Sequence, residues 1–391
     1  MWDDVMLQFC SEQSIEITFG FTSSFVKPLN PFATFTTRIN HKILTMMKKM
    51  YNVLLSVAAI VAMSFFVSCE GPAGPAGTDG VDGTDGTPGV AGNLSCLECH
   101  SQEGMEAIEN EYATSGHGMA AYVAYTAGAG RASCAQCHNN EGFLYYLSAT
   151  PGGVVTDIFN ATKISCETCH GNHTSLEDGL EAPIRTVAPV TAIADGTVID
   201  FENNSNLCAN CHQSRASYAA SEAIDSVKVG GVMVKVEDGN VGIASSRTGP
   251  HHGPQANILV GVLGYGNSAT HAHTDLGCTS CHMGESNGTE GGHTFFPNLS
   301  NCTGCHSGAT DFDINGAQTD FDTRMAAIRT KLIEKGLVNG TTDLAIVGQY
   351  PLPEFKAYWN WISLKEDLSH GVHNPTYTNT MLTVAEAGLG L

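Results

Sequence analysis

Six times the chain carries two cysteines three residues apart, followed at once by histidine: Cys96-Cys99-His100, Cys134-Cys137-His138, Cys166-Cys169-His170, Cys208-Cys211-His212, Cys278-Cys281-His282 and Cys302-Cys305-His306. These motifs take up twelve of the 14 cysteines. Composition alone predicts about 0.02 matches in a chain of this length. Paired thiols at this spacing could bind zinc, cycle between dithiol and disulfide, or add across vinyl groups. Zinc would join two C-x-x-C units per metal and has no use for a histidine at every fifth position. Two thiols with an adjacent imidazole are what covalent haem attachment requires: two thioethers to the porphyrin and a proximal nitrogen on the iron. The motifs therefore predict six covalently bound haem c groups, held by those twelve cysteines and ligated on one side by those six histidines.

The occupant of each iron's sixth position separates a carrier from an enzyme. Ten histidines lie outside the motifs: His41, His117, His173, His251, His252, His271, His273, His293, His370 and His373. His41 lies ahead of an export signal and drops out. His117, His173 and His293 stand alone. The doublets "PHHGP", "HAHTD" and "SHGVHNP" each offer two candidates, His251 or His252, His271 or His273, and His370 or His373. One from each doublet plus the three singletons supplies six, which predicts imidazoles on both faces of every iron. Met119 and Met283 are the thioether alternatives, and packing is the better reading of both.

Several segments resemble the multihaem c-type cytochromes, the superfamily of pentahaem nitrite reductases, hydroxylamine oxidoreductases and tetrahaem c554-type carriers. They are "SGHGMA", "CETCHGNH", "GPHHGPQANILVG", "HAHTDLGCTSCHM", "GGHTFFPNLSNCTGCH" and "SHGVHNPTY". The likeness extends from Cys96 to about Thr380. It implies bis-histidine irons, low potentials and electron transfer, and it points to His273 and His373 within their doublets. The expected distal set is His117, His173, His251, His273, His293 and His373, with His252, His271 and His370 as the alternatives. The lysine-ligated C-x-x-C-K haem of the nitrite-reductase branch has no counterpart here.

Residues 93–310 carry the motifs, and the chain from Asn93 onward offers only about 50 residues per haem, too few to wrap each porphyrin separately. Closely stacked haems should therefore cover one another's apolar faces. The expected fold is a multihaem cytochrome c fold: irregular loops and short helices around stacked haems, one small β-hairpin and a C-terminal helical layer. "DSVKVGGVMVKVEDG" reads as the hairpin, turning at Gly230-Gly231. Residues 311–391 read as helical. Met325, Ile328 and Leu332 share one helix face behind an Asp cap within "DFDTRM", with Gly336 as the stop. Phe355, Trp359 and Ile362 form one face of a second helix. A third helix starts near Thr376, and the loop before it delivers the distal ligand His373.

Upstream, 47–69 has the form of a lipoprotein-type signal peptide: Lys48 and Lys49, an apolar run from Val53 to Val67, and Cys69 as lipid anchor. Its apolar run is short for a membrane span. Residues 1–46 read as a mis-called upstream segment. Residues 70–92, with glycine at every third position from Gly71 to Gly89, read as a collagen-like tether in extended form; it also allows an oligomer. The formal charge of −21 argues against nucleic acid as partner.

Together these features predict an exported hexahaem electron carrier. It would be lipid-anchored to the outer membrane on its periplasmic or cell-surface face, exchanging electrons with redox proteins or an extracellular acceptor, with the membrane touched only through the anchor. The alternatives are an oxidoreductase reducing nitrite, hydroxylamine or tetrathionate at one open haem, with Arg215 or Arg247 stabilising charge, and a filament-forming cytochrome.

Overall fold

Apolar residues repeat at helical spacing most clearly after residue 316, and there the longest helices form. The computed structural model describes residues 101–119, 130–148, 156–171 and 184–391, all within one of the chain's two units, Met1–Gln13 with Ala91–Leu391. The first motif, His173, the signal, the tether and Cys69 lie outside the described residues.

Among the described residues four helices have a dozen or more residues: α1 (Gln102–Thr114), α2 (Ala317–Glu334), α3 (Leu352–Asp367) and α4 (Pro375–Leu389). The Ser101 side chain caps α1, accepting the Gly104 N–H at 3.0 Å. In α2 the buried residues are Phe321, Met325, Ile328 and Leu332, one per turn on a single stripe. This helix begins a turn earlier than expected: its N-cap residue is Gly316, and the upstream Asp313, not an aspartate of "DFDTRM", covers its first turn. The Asp313 carboxylate accepts the N–H groups of Gln318 and Thr319 at 2.7 and 3.2 Å. Gly336, at φ +76°, ends the helix as predicted.

Helix α3 departs further from expectation. Ten of its residues are buried, including Phe355, Tyr358, Trp359, Trp361, Ile362 and Leu364. Aromatic and aliphatic side chains on every face make it the central rod of the layer. Two of its buried polar side chains reach partners: Trp359 Nε1 donates to the Leu263 carbonyl at 3.0 Å, and Asn360 exchanges hydrogen bonds with the Tyr265 backbone at 2.7 Å while also donating to the Met381 carbonyl. Helix α4 closes against α3 where Gly388 passes Pro353. A Cβ at Gly388 would lie 2.3 Å from the Pro353 carbonyl oxygen.

Among the described residues six short strands form three antiparallel pairs: β1 (Val190–Thr191) with β2 (Val198–Ile199), β3 (Ser226–Val229) with β4 (Val232–Lys235), and β5 (Asn240–Ile243) with β6 (Gly348–Pro351). The expected hairpin is β3–β4, with Val229 opposite Val232 and positive φ at both Gly230 and Gly231. The other two pairs were not expected. In β5–β6, Val241 stands opposite Tyr350, so a segment between the fourth and fifth motifs pairs with one just ahead of α3. The main core joins the same regions, packing Val241, Ile243, Ile258 and Leu263 against α2, α3 and α4. A smaller core of Val190, Ala192, Ile199, Phe201, Ala209, Ala256 and Leu259 surrounds the fourth motif. Among the described residues no helix is long and apolar enough to cross a membrane.

Candidate haem-ligand sites

Each described motif sits on a short helical turn. The histidine N–H bonds to the carbonyl of the first cysteine at 2.8 Å for His170, 2.9 Å for His212, 3.0 Å for His282 and 2.8 Å for His306. That i to i−4 bond sets both cysteines on one side of the turn with the imidazole beside them.

Four motif imidazoles face a second imidazole from elsewhere in the chain. The ring centres are 6.0 Å apart for His212 and His117, 6.2 Å for His170 and His293, and 6.3 Å for both His306 with His273 and His282 with His373. One iron between two imidazoles, bound through nitrogens about 2 Å away that lie about 1.1 Å from their ring centres, sets those centres about 6.3 Å apart. The donor pairs therefore fit a haem iron. The interplanar angles fall into two groups, 70° and 71° for His117–His212 and His273–His306, and 37° and 47° for His170–His293 and His282–His373.

Ligation needs neutral imidazole with a free lone pair, and burial favours it at three of the histidines. Burial, aided by the neighbouring His212, pushes His117 down to about 4. His138 also falls to about 4, through burial and then through its neighbour His251. His251 itself falls to about 4, through burial and then Arg215, whose Nη1 lies 3.4 Å from its Nε2.

Within the doublets, the alternative histidines meet different partners. His252 Nδ1 pairs with the Glu366 carboxylate. His370 Nδ1 pairs with Asp322 at 2.7 Å on the surface. The His271 ring accepts the His273 N–H at 3.3 Å, capping the turn Ala272–Leu276. Met119 is exposed, and the Met283 N–H closes the turn after the fifth motif on Thr279.

Residues that sequence reasoning missed orient these imidazoles. Phe295, in left-handed backbone at φ +58°, accepts His282 Nδ1 on its carbonyl at 2.8 Å. Its ring lies edge-on to His117 at 4.9 Å and to His293 at 6.1 Å. Glu111 on α1 accepts the His293 N–H at 2.9 Å. The Val372 carbonyl takes His273 Nδ1 at 2.7 Å, Gln255 Oε1 lies 3.3 Å from His212 Nδ1, and Asp367 takes His373 Nδ1 at 2.7 Å. Such outer partners fix ring orientation and tautomer.

The motifs also touch one another. Asn301, beside the sixth, donates to the Cys281 carbonyl of the fifth at 3.1 Å. Ser205, beside the fourth, accepts the Cys278 N–H of the fifth at 2.8 Å. Gln136 of the second donates to the Asn210 carbonyl of the fourth at 3.1 Å. Thr168 of the third donates to Asn140, just after the second, at 2.6 Å.

No protein-family model matches this sequence, and no curated protein does. Two solved structures are similar at 21% identity. They are the outer cell wall cytochrome OcwA, with a TM-score of 0.46 over 71% of this chain and 49% of that one, and an undecaheme cytochrome from the S-layer of Carboxydothermus ferrireducens, with a TM-score of 0.42 over 73% of this chain and 40% of that one. This chain thus spans half or less of either neighbour's length.

Proposed function

We propose that this chain is a hexahaem c-type cytochrome that passes electrons through closely spaced bis-histidine haems between partners in the cell envelope or outside it. The observation that carries the reading is the conjunction of six C-x-x-C-H motifs with four imidazole pairs at the separation one iron requires. When bound, each haem supplies a one-electron Fe(III)/Fe(II) couple.

The protein's part is to hold, orient and crowd these groups. His212 pairs with His117, His170 with His293, His306 with His273 and His282 with His373. His251, whose proximity helps hold His138 below its ordinary value, would complete the second site. His173 and the first motif lie outside the described residues. Contacts between motifs run from the sixth through the fifth and fourth to the second, with the third alongside. On this reading 47–69 exports the chain, Cys69 anchors it by lipid and 70–92 holds the haem region away from the membrane. An acidic surface favours redox partners with basic patches.

The test is the intact mass of the exported protein together with a low-temperature EPR spectrum of its oxidised form. Six covalent haem increments and low-spin ferric signals alone are expected. A mass with fewer increments, or a substantial high-spin signal, overturns the proposal.

A further inference from the structure

Helix α3 ends at Asp367, and the loop that follows turns back sharply, with positive φ at Leu368, His370 and Gly371. Its product is a compact group of three side chains. Asp367 Oδ1 lies 2.7 Å from His373 Nδ1, Ser369 Oγ donates to Asp367 Oδ2, and the His373 N–H donates back to Ser369 Oγ at 3.3 Å. The Asp367 side chain is only 1% exposed. A carboxylate so buried is retained where donors satisfy it, and here both oxygens accept.

The outer partners of the other imidazoles differ in charge. His282, on the opposite side of the same pair, takes the Phe295 carbonyl. His273 takes the Val372 carbonyl, and His212 a side-chain amide oxygen. Those acceptors are neutral. A carboxylate pulls harder on the Nδ1 proton, makes the imidazole a stronger donor to iron and adds a buried negative charge that favours Fe(III) over Fe(II).

We propose that Asp367 is a positioning residue that holds the iron between His282 and His373 at a lower potential than the iron between His273 and His306. The inference rests on the ligand pairs proposed above. Ser369 moderates the effect, since its hydroxyl draws charge towards Oδ2, away from the oxygen that faces His373.

The test is a spectropotentiometric titration of the full exported protein, carried out on the parent, Asp367→Asn and Ser369→Ala, each first checked for six haems and a low-spin spectrum. Asp367→Asn should shift one midpoint upward and leave the others in place. Ser369→Ala should move that same midpoint downward. A purely structural Asp367 would lower thermal stability in both variants and move no potential. An Asp367→Asn protein with six low-spin haems and unmoved or lowered midpoints overturns the proposal. If that variant fails to accumulate, Ser369→Ala decides alone, and an unmoved or raised midpoint is then fatal. A parent protein without six haems would instead sink the ligand assignment beneath it.

Discussion

His373 faces His282 with ring centres 6.3 Å apart, while His370, three residues earlier in the same loop, bonds Asp322 at the surface. The two histidines of this doublet should therefore respond differently to removal. His373→Ala should convert about one-sixth of the low-spin ferric signal to high-spin, because one iron loses its sixth ligand. His370→Ala should leave the EPR spectrum unchanged. The same contrast is expected between His273→Ala and His271→Ala.

The crossing angle of two axial imidazoles sets how far the iron d-orbitals split. Pairs near 70° should give strongly anisotropic low-spin signals with a large maximum g value, and pairs near 40° should give ordinary rhombic ones. Both classes should appear in the oxidised protein. Loss of His117, whose ring crosses that of His212 at 70°, should remove intensity from the anisotropic class and leave the rhombic class intact.

Trp359 is fully buried on α3, with its indole N–H on the Leu263 carbonyl. Trp359→Ala should cost about 3–5 kcal/mol through lost burial, a cavity and an orphaned carbonyl. Chemical denaturation followed by far-ultraviolet circular dichroism checks this. Covalent haem content should survive, since no thioether site contains Trp359.

Arg324 on α2 forms a two-pronged bond with Glu386 on α4, at 2.6 and 2.8 Å. Its hydrogen bond to Arg324 holds the Glu386 carboxyl below its ordinary value. A depressed carboxylate contributes stability above its unfolded value, near 4.5, and the contribution is lost as pH falls through the folded value. Glu386→Gln should therefore cost about 1 kcal/mol at neutral pH. The cost should vanish in acid, as read from paired thermal melts at pH 7 and pH 3.

The C-x-x-C-H motifs were legible because they are local: two thiols and an imidazole within five residues need no tertiary fold to be recognised. Helix α2 was legible for a similar reason, since Phe321, Met325, Ile328 and Leu332 repeat once per turn. Helix α3 was found but misread, because a rod buried on all faces has no polar side to define a stripe. The β5–β6 pair left little trace. Its strands are four residues long, contain Gly242, Gly348 and Pro351, and meet only after a long excursion of chain. The candidate distal histidines could be counted, but not matched to motifs, because matching depends on that same long-range packing. Phe295 and Asp367 act through a carbonyl and a carboxylate whose position is set by backbone turns, and no residue pattern announces them.

The pairing of imidazoles across the chain has a consequence for biogenesis. On the proposed assignment His117 reaches forward to the fourth motif, whereas His293 reaches back to the third and His373 to the fifth. A polypeptide threaded outward from its N-terminus would release the fifth motif well before the loop that bears His373. That iron would wait, open on one side, until the loop bearing His373 emerged and closed over it, so a folding step distant in sequence would also be the step that silences a reactive metal.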